Sequence, residues 1–354
     1  MSTPLQALRR RFANVTYRVD ADAAQIADAA VTLVFVGRTW RDEGEFVKPV
    51  VTPALARDCI PAPGLSDLPA LAKLAAAQLR ETLLGASAMH DGRDGGFGVG
   101  GDLEYLGLAH DQVRLIVECA AASRRVVVVL QAGSCVMVEG WIDRVAGVVM
   151  AWYGGEQGAD ALADVLAGAT NPSGKMPVAT PRRMDHLVRF DRTARAVEYG
   201  LFDHGQVHLD RCGHRARFPL GFGLSYTRFE LRLLAVRSSD EAVVHVDVEA
   251  ANAGSRSGAE VVMAFVHATA SKVERAVALL KAFQRVELQA GERVTVTLSV
   301  PMRAFAHFEQ GRFVVDEGAE FWLSVNDCAG EPLAGAKAAG RAALVDFTPA
   351  AKPF

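Results

Sequence analysis

Asp42, Glu43 and Glu45 crowd into one short stretch, Gly37-Arg-Thr-Trp-Arg-Asp-Glu-Gly-Glu-Phe46, directly after an apolar run, Val31–Val36. Gly44 between the two glutamates leaves the backbone free to project a carboxylate into a cleft. A carboxyl whose pKa is raised by burial can protonate a leaving group, and its ionised form can later take a proton back. Residue chemistry taken alone favours a solvated acidic loop over a catalyst.

Other motifs fail on context. Gly96-Phe-Gly-Val-Gly-Gly101 satisfies GxGxxG, but a loop sequence, Met89-His-Asp-Gly-Arg-Asp-Gly95, stands where a dinucleotide site needs a strand. Gly168-Ala-Thr-Asn-Pro-Ser-Gly-Lys-Met176 mimics a P-loop with one residue too many between its glycines. Met176 stands there in place of the magnesium-binding hydroxyl. No GxSxG or HExxH occurs. Cys59, Cys119, Cys135, Cys212 and Cys328 are scattered, without CxxC or Cys/His ligand spacing, so free thiols are expected, with no metal site and no cofactor.

The elements that would position these groups fall into two patterns. Val31–Val36, Val126–Leu130 and Val145–Trp152 are unbroken apolar runs, as in strands buried on both faces. Val113, Ile116, Val117 and Ala120, and again Ala159, Leu162, Ala163 and Leu166, follow helical spacing. Strand–helix–strand of this length implies parallel pairing, hence an α/β layered sandwich with a mostly parallel sheet. Residues 38–105 form a long insertion with a helix expected over 65–84, and residues 182–218 show little periodicity.

After about residue 226 the pattern becomes period two. Val244, Val246 and Val248 alternate with polar neighbours, as do Val294, Val296, Leu298 and Val300, and Phe321, Leu323 and Val325. Turn signals at Asn252-Ala-Gly254, Ala290-Gly291 and Glu317-Gly318 separate these runs, as in an immunoglobulin/fibronectin III-like β-sandwich.

A chain of 354 residues with a formal net charge of −3 has no cationic excess to drive nucleic-acid binding. No stretch reaches the length of a membrane-spanning helix, so no membrane partner is expected. The N-terminus, with its arginines after its apolar residues and no h-region, reads as cytoplasmic.

Some stretches are more specific than propensity. Ala151-Trp-Tyr-Gly-Gly-Glu-Gln-Gly158, Ala161-Leu-Ala-Asp-Val-Leu-Ala-Gly168, Asn171-Pro-Ser-Gly-Lys-Met-Pro-Val178 and Thr180-Pro-Arg182 resemble the C-terminal α/β-sandwich domain of family 3 glycoside hydrolases, the β-glucosidase family. Phe218-Pro-Leu-Gly-Phe-Gly-Leu-Ser-Tyr-Thr227 resembles the segment that closes that domain. The remainder, with Glu260-Val-Val, Val273-Glu-Arg275, Leu280-Lys-Ala-Phe283 and Leu288-Gln-Ala-Gly-Glu292, resembles the family's fibronectin type III-like domain. The resemblance divides the chain into an α/β domain, 1–225, carrying the insertion at about 38–105, and a β-sandwich, 226–354. It implies hydrolysis of β-glycosides with retention and a β-glycoside or oligosaccharide as ligand. It places the acid/base glutamate at Glu43, with Glu45 as the alternate. Gly101-Asp102 resembles a Gly-Asp-Arg segment of the family with Leu103 in place of arginine. Asp102 is then a sugar contact or a cap for the helix that carries Gln112. Glu156 reads as a helix-start residue and Asn171-Pro-Ser-Gly174 as a structural turn.

Family 3 enzymes also carry an N-terminal barrel with the nucleophile, which takes roughly 250 residues. About 30 residues precede the first clear strand here, and no Ser-Asp-Trp or Lys-His-Phe barrel motif appears. The match starts at Pro4–Leu8, just after the α/β domain's own first strand, so an edge or core strand is expected to be lacking. The chain is therefore expected to supply the proton donor and not the nucleophile, and to be inactive alone. A separate barrel chain or self-association would complete it. A non-catalytic remnant that binds carbohydrate or protein, and a structural assembly module, remain the alternatives.

Overall fold

The computed structural model describes residues 2–20, 22–43, 103, 105–189, 196–240, 243–315, 320–326, 328–329 and 345–347. Two compact units emerge, one of residues 18–153 and one combining residues 1–17 with 154–354. The first helix, α1 (Pro4–Arg11), belongs to the second unit. Thr3 caps it in a reciprocal box: Gln6 N–H donates to Thr3 Oγ1 and Thr3 N–H to Gln6 Oε1, with Pro4 pre-set for the first turn.

The unit of residues 18–153 contains α2 (Ala23–Asp28), β1 (Thr32–Gly37), α3 (Trp40–Glu43), α4 (His110–Ala122), β2 (Val126–Gln131) and β3 (Gly147–Met150). The three strands pair in parallel in the order β1-β2-β3, in register Thr32↔Val126 and Val127↔Gly147. Val126, Val128, Val129 and Leu130 are buried on both faces of the central strand, the reason its sequence does not alternate. α4 packs on β1 and β2 through Ile116 and Cys119. The third apolar run yields a shorter strand than its length suggests. Val145 closes a 3-10 turn, and Trp152 adopts φ +54°, which ends extended backbone. The helix expected over 65–84 lies outside the described residues.

In the other unit, α5 (Gly158–Leu166) presents Asp160 and Asp164 one turn apart on one face. Arg10 and Arg11, the last residues of α1, pair with them. α6 (Gly205–Arg211) buries only Leu209, too narrow a stripe to register as periodicity. The β-sandwich follows: β4 (Phe229–Asp240), β5 (Val243–Asn252), β6 (Gly258–Ala270), β7 (Leu279–Leu288), β8 (Arg293–Pro301), β9 (His307–Glu309), β10 (Arg312–Val314), β11 (Glu320–Asn326) and β12 (Val345–Phe347). One antiparallel sheet runs β4-β5-β8, another β12-β11-β6-β7, and β9 with β10 makes a hairpin. Val244, Val246, Val248, Leu298, Val300, Phe305 and Phe321 meet in the core between them, as the alternation predicts.

β6 breaks the period-two rule for a physical reason. Val262, Ala264 and Val266 face the main core, while Met263 and Phe265 on its other side pack with Leu220 and Ala329. A strand buried on both faces has no polar face to alternate with.

The Asn171-Pro-Ser-Gly174 turn is structural, as its residue types suggest. Asn171 Oδ1 accepts from Ser225 Oγ (2.9 Å) and Tyr226 N–H (2.8 Å), and its Nδ2 donates to the Ser257 carbonyl (3.0 Å). Lys175 lies 2.6 Å from Glu260 on β6 and donates to the Gly223 carbonyl.

Candidate active site

Parallel strands all point their carboxyl ends to the same edge of a sheet, and loops leaving that edge converge. Three do so here. Beyond β1, Arg38 N–H adds one more ladder bond, to the Gln131 carbonyl (2.8 Å), before the chain turns away. Gly37 allows that approach: a Cβ there would lie 1.9 Å from the Gln131 oxygen. Thr39 then starts α3. Asp42 Oδ2 accepts from both Thr39 N–H (2.6 Å) and Thr39 Oγ1 (3.0 Å), committing the Asp42 carboxylate to a single helical turn. That turn delivers Glu43.

The Glu43 carboxylate receives donors from all three loops. Arg38 Nη1, after β1, lies 3.2 Å from Oε1. Gly133 N–H, after β2, donates to Oε2 at 2.8 Å, and Tyr153 O–H, after β3, donates to the same oxygen. Arg38 is itself fixed, with Nη1 donating to Ser134 Oγ and Nη2 to the Leu106 carbonyl, both at 2.7 Å, and only 2% of its side chain is exposed. Gln112 on α4 braces the strand end by donating to the Gly37 carbonyl (2.8 Å).

Burial pushes the Glu43 carboxyl up, but the bonds from Tyr153, Gly133 and Arg38 outweigh it, so the pKa lies below the ordinary glutamate value. The same contact works in reverse on Tyr153. Burial first, then the hydrogen bond and charge of Glu43, push its phenol up to about 12. The Tyr153 ring nevertheless stays 52% exposed. Trp152 beside it holds a left-handed φ that a bulky side chain adopts only where its surroundings impose it.

A cavity of about 30 Å³ lies beside the turn, lined by Gly37, Arg38, Asp42, Leu108 and Gln112 among others. That is room for about two waters and not for a sugar ring. Among the described residues no three His, Cys, Asp or Glu side chains are grouped to hold a metal ion, and no helix is long and apolar enough to cross a membrane.

Of the residues singled out from sequence, the described structure contains Glu43, together with Asp42 and Gln112 as its braces. Glu45 and Asp102 lie outside the described residues. α4 begins at His110 with Ala109 at its cap position, so Asp102 stands too far upstream to be its N-cap. Glu156 precedes the Gln157 cap of α5 and is exposed. Sequence reasoning missed Arg38 and Tyr153. The available signal was positional: each follows closely on the end of a strand, at the edge where parallel sheets gather their chemistry.

Residues 1–226 match the glycosyl hydrolase family 3 C-terminal domain, and residues 260–327 match the fibronectin type III-like domain. Thermostable beta-glucosidase B of Acetivibrio thermocellus is 38% identical over 233 residues, which is 61% of this chain and 31% of that protein. Beta-glucosidase 3B from Thermotoga neapolitana, solved in complex with glucose, is similar with a TM-score of 0.65 and 29% identity over 73% of this chain and 37% of its own. Beta-D-glucoside glucohydrolase from Trichoderma reesei shares the fold over 98% of this chain and 45% of its own, with a TM-score of 0.74 at 20% identity. The chain thus spans about a third of the length of the curated relatives it matches.

Proposed function

The chain belongs to glycoside hydrolase family 3, and from that premise we propose that it supplies the acid/base half of a retaining β-glycosidase site. In this reading Glu43 protonates the departing glycosidic oxygen while a second carboxylate attacks the anomeric carbon. Glu43 then takes a proton from the water that releases the sugar. The nucleophile, about 5–5.5 Å from the acid/base, comes from a barrel outside these 354 residues. A family 3 barrel is the partner this reading requires, with a separate barrel chain as one source of it, and a β-glycoside is the substrate.

The observation that carries the reading is the placement of Glu43. It stands in the loop after β1, at the carboxyl edge of a parallel sheet, with partners from the loops after β2 and β3. One observation favours a second reading, a non-catalytic sugar- or protein-binding module: the bonds from Tyr153, Gly133 and Arg38 lower the Glu43 pKa, whereas a proton donor needs its pKa raised.

Aryl β-glucosides with graded leaving groups separate the two. The chain alone is expected to release no aryl alcohol. With a family 3 barrel supplied in trans, Glu43→Gln is expected to slow release of a poorly acidic alcohol by about 10²–10⁴-fold. The same variant should barely affect kcat/KM for a dinitrophenyl glucoside, whose leaving group departs without a proton, while its kcat falls because the base that activates water is gone; Glu45→Gln should leave both substrates unchanged. Glucoside binding without cleavage in the reconstituted complex would establish the binding module instead.

A further inference from the structure

We infer that Arg38, Tyr153 and the Gly133 N–H form a clasp that parks Glu43 as a hydrogen-bond acceptor, so that its carboxyl gives a proton only after Tyr153 lets go. The inference rests on the acid/base reading and adds the residues that govern it. Arg38 and Tyr153 are positioning residues in this scheme.

The argument starts from which partners can change role. A guanidinium carries donors and no acceptor, and a backbone N–H only donates. Oε1 faces Arg38 and Oε2 faces Gly133 and Tyr153, so a proton on either oxygen would point at a donor. Only the tyrosine hydroxyl can turn from donating to accepting. Protonation of Glu43 in this seat is therefore coupled to Tyr153, whose hydroxyl must give up its donor role by turning or by leaving.

The surroundings fit that division of labour. Arg38 is the fixed anchor, buried and tied to Ser134 and Leu106 as well as to Glu43. Tyr153 is the movable part, its ring half in solvent and its backbone next to the left-handed Trp152. Asp42, the nearest other carboxylate in sequence, is occupied by Thr39 and leaves Glu43 to the clasp. Once the Tyr153 bond is broken, burial acts on Glu43 with less opposition, and burial raises a carboxyl pKa. An arriving glycosidic oxygen that displaces the Tyr153 hydroxyl would thus meet a carboxyl better able to hold and pass on a proton.

The test is a carbon-13 NMR titration of the glutamate carboxyls in the full chain, with the Glu43 signal assigned from Glu43→Gln. Tyr153→Phe keeps the ring and removes one donor, and is expected to move the Glu43 midpoint upward, raising its protonated fraction at mildly acidic pH several-fold. The coupling is reciprocal: Glu43→Gln should bring the Tyr153 phenol down from about 12 toward its ordinary range, read by tyrosinate absorbance against Tyr153→Phe. Gly133→Ala provides a second route, since its Cβ would stand 2.8 Å from Glu43 Oε2 and must push the carboxylate out. An unchanged Glu43 midpoint in Tyr153→Phe, or a Tyr153 phenol that ionises normally in the unaltered chain, overturns the clasp. With the barrel supplied, Tyr153→Phe should shift the pH profile of kcat/KM upward for poor leaving groups and leave dinitrophenyl glucosides unaffected. A shifted midpoint with fully active Glu43→Gln would defeat the donor reading and still support the clasp.

Discussion

Among the described residues two cation–carboxylate pairs are largely shut away from solvent, and they are built to different ends. Lys175 and Glu260 lie 2.6 Å apart with side chains only 10% and 6% exposed. Their further bonds, from Lys175 to the Gly223 carbonyl and from Val261 N–H to Glu260, close the pair on itself. The pair pins the Asn171–Met176 stretch and the Phe218–Thr227 stretch to β6. Arg38 is buried more deeply than Lys175, but its partner Glu43 is 15% exposed and lies under the half-exposed Tyr153 ring. One pair is sealed and the other borders solvent through a side chain that can move. Burial of charge therefore does not by itself set Glu43 apart from Glu260. The distinguishing features are partners gathered from several strand-end loops and one partner free to leave.

The contrast predicts where free energy is lost. Lys175→Met strands a buried carboxylate and is expected to cost about 3–5 kcal/mol in urea unfolding of the unit that carries the sandwich, whereas Lys175→Met with Glu260→Met should recover most of that loss. If the double variant is as unstable as the single one, the pair does more than close a packed contact. Arg38→Met leaves Glu43 with two donors and access to water, so the expected loss is smaller, about 1–3 kcal/mol in thermal unfolding. A loss as large as that of Lys175→Met would erase the distinction.

Two glycines sharpen the same comparison with less disruption. A Cβ at Gly223 would sit 2.3 Å from the Gly174 carbonyl oxygen, a backbone atom that cannot step aside, so Gly223→Ala is expected to destabilise by about 1–3 kcal/mol. At Gly133 the Cβ meets the far ends of Glu43 and Tyr153, which can yield. Gly133→Ala should leave unfolding within about 1 kcal/mol of the unaltered chain while shifting the Glu43 titration. Equal destabilisation by the two alanines would mean that the Glu43 seat is as rigid as the Gly174–Gly223 contact.

The sequence displays these two regions with unequal clarity. Val244, Val246 and Val248 declare their strand because one face is buried and the other wet, and the core between the sheets follows from that alternation. β6 hides because both its faces are buried, and α6 hides because Leu209 alone anchors it. At the site, Glu43 stands out as a carboxylate on a glycine-bearing loop after a strand. Its neighbour Asp42 looks equally chemical, yet the structure uses it to cap a turn. Arg38 and Tyr153 carry no such mark, because their importance comes from a parallel register that brings Gly37 level with Gln131, with β3 pairing on the far side of β2. That pairing is a long-range property, and residue type and local spacing do not express it.

The smallest expected effect comes from a third pair, exposed on the sandwich. Arg237 on β4 pairs with Asp247 on β5 at 2.7 Å, and Thr297 on β8 adds a hydrogen bond to the same carboxylate. The Arg237 and Thr297 bonds hold Asp247 down to about 2. A folded-state pKa below the unfolded one stabilises the fold at pH values above the unfolded pKa, and that contribution fades as the pH falls toward the folded value. Asp247 and Glu43 share this sign, so both favour the folded chain at neutral pH and stop doing so in acid. They differ in what salt can do. Arg237 is more than half exposed, so Arg237→Gln is expected to have the smallest effect on stability of these variants at neutral pH, and that effect should shrink further in high salt. Glu43, beside a guanidinium shut away from solvent, should titrate almost independently of salt. Glu43 and Asp247 midpoints that move alike with ionic strength would show that the clasp is open to water on more sides than its burial indicates.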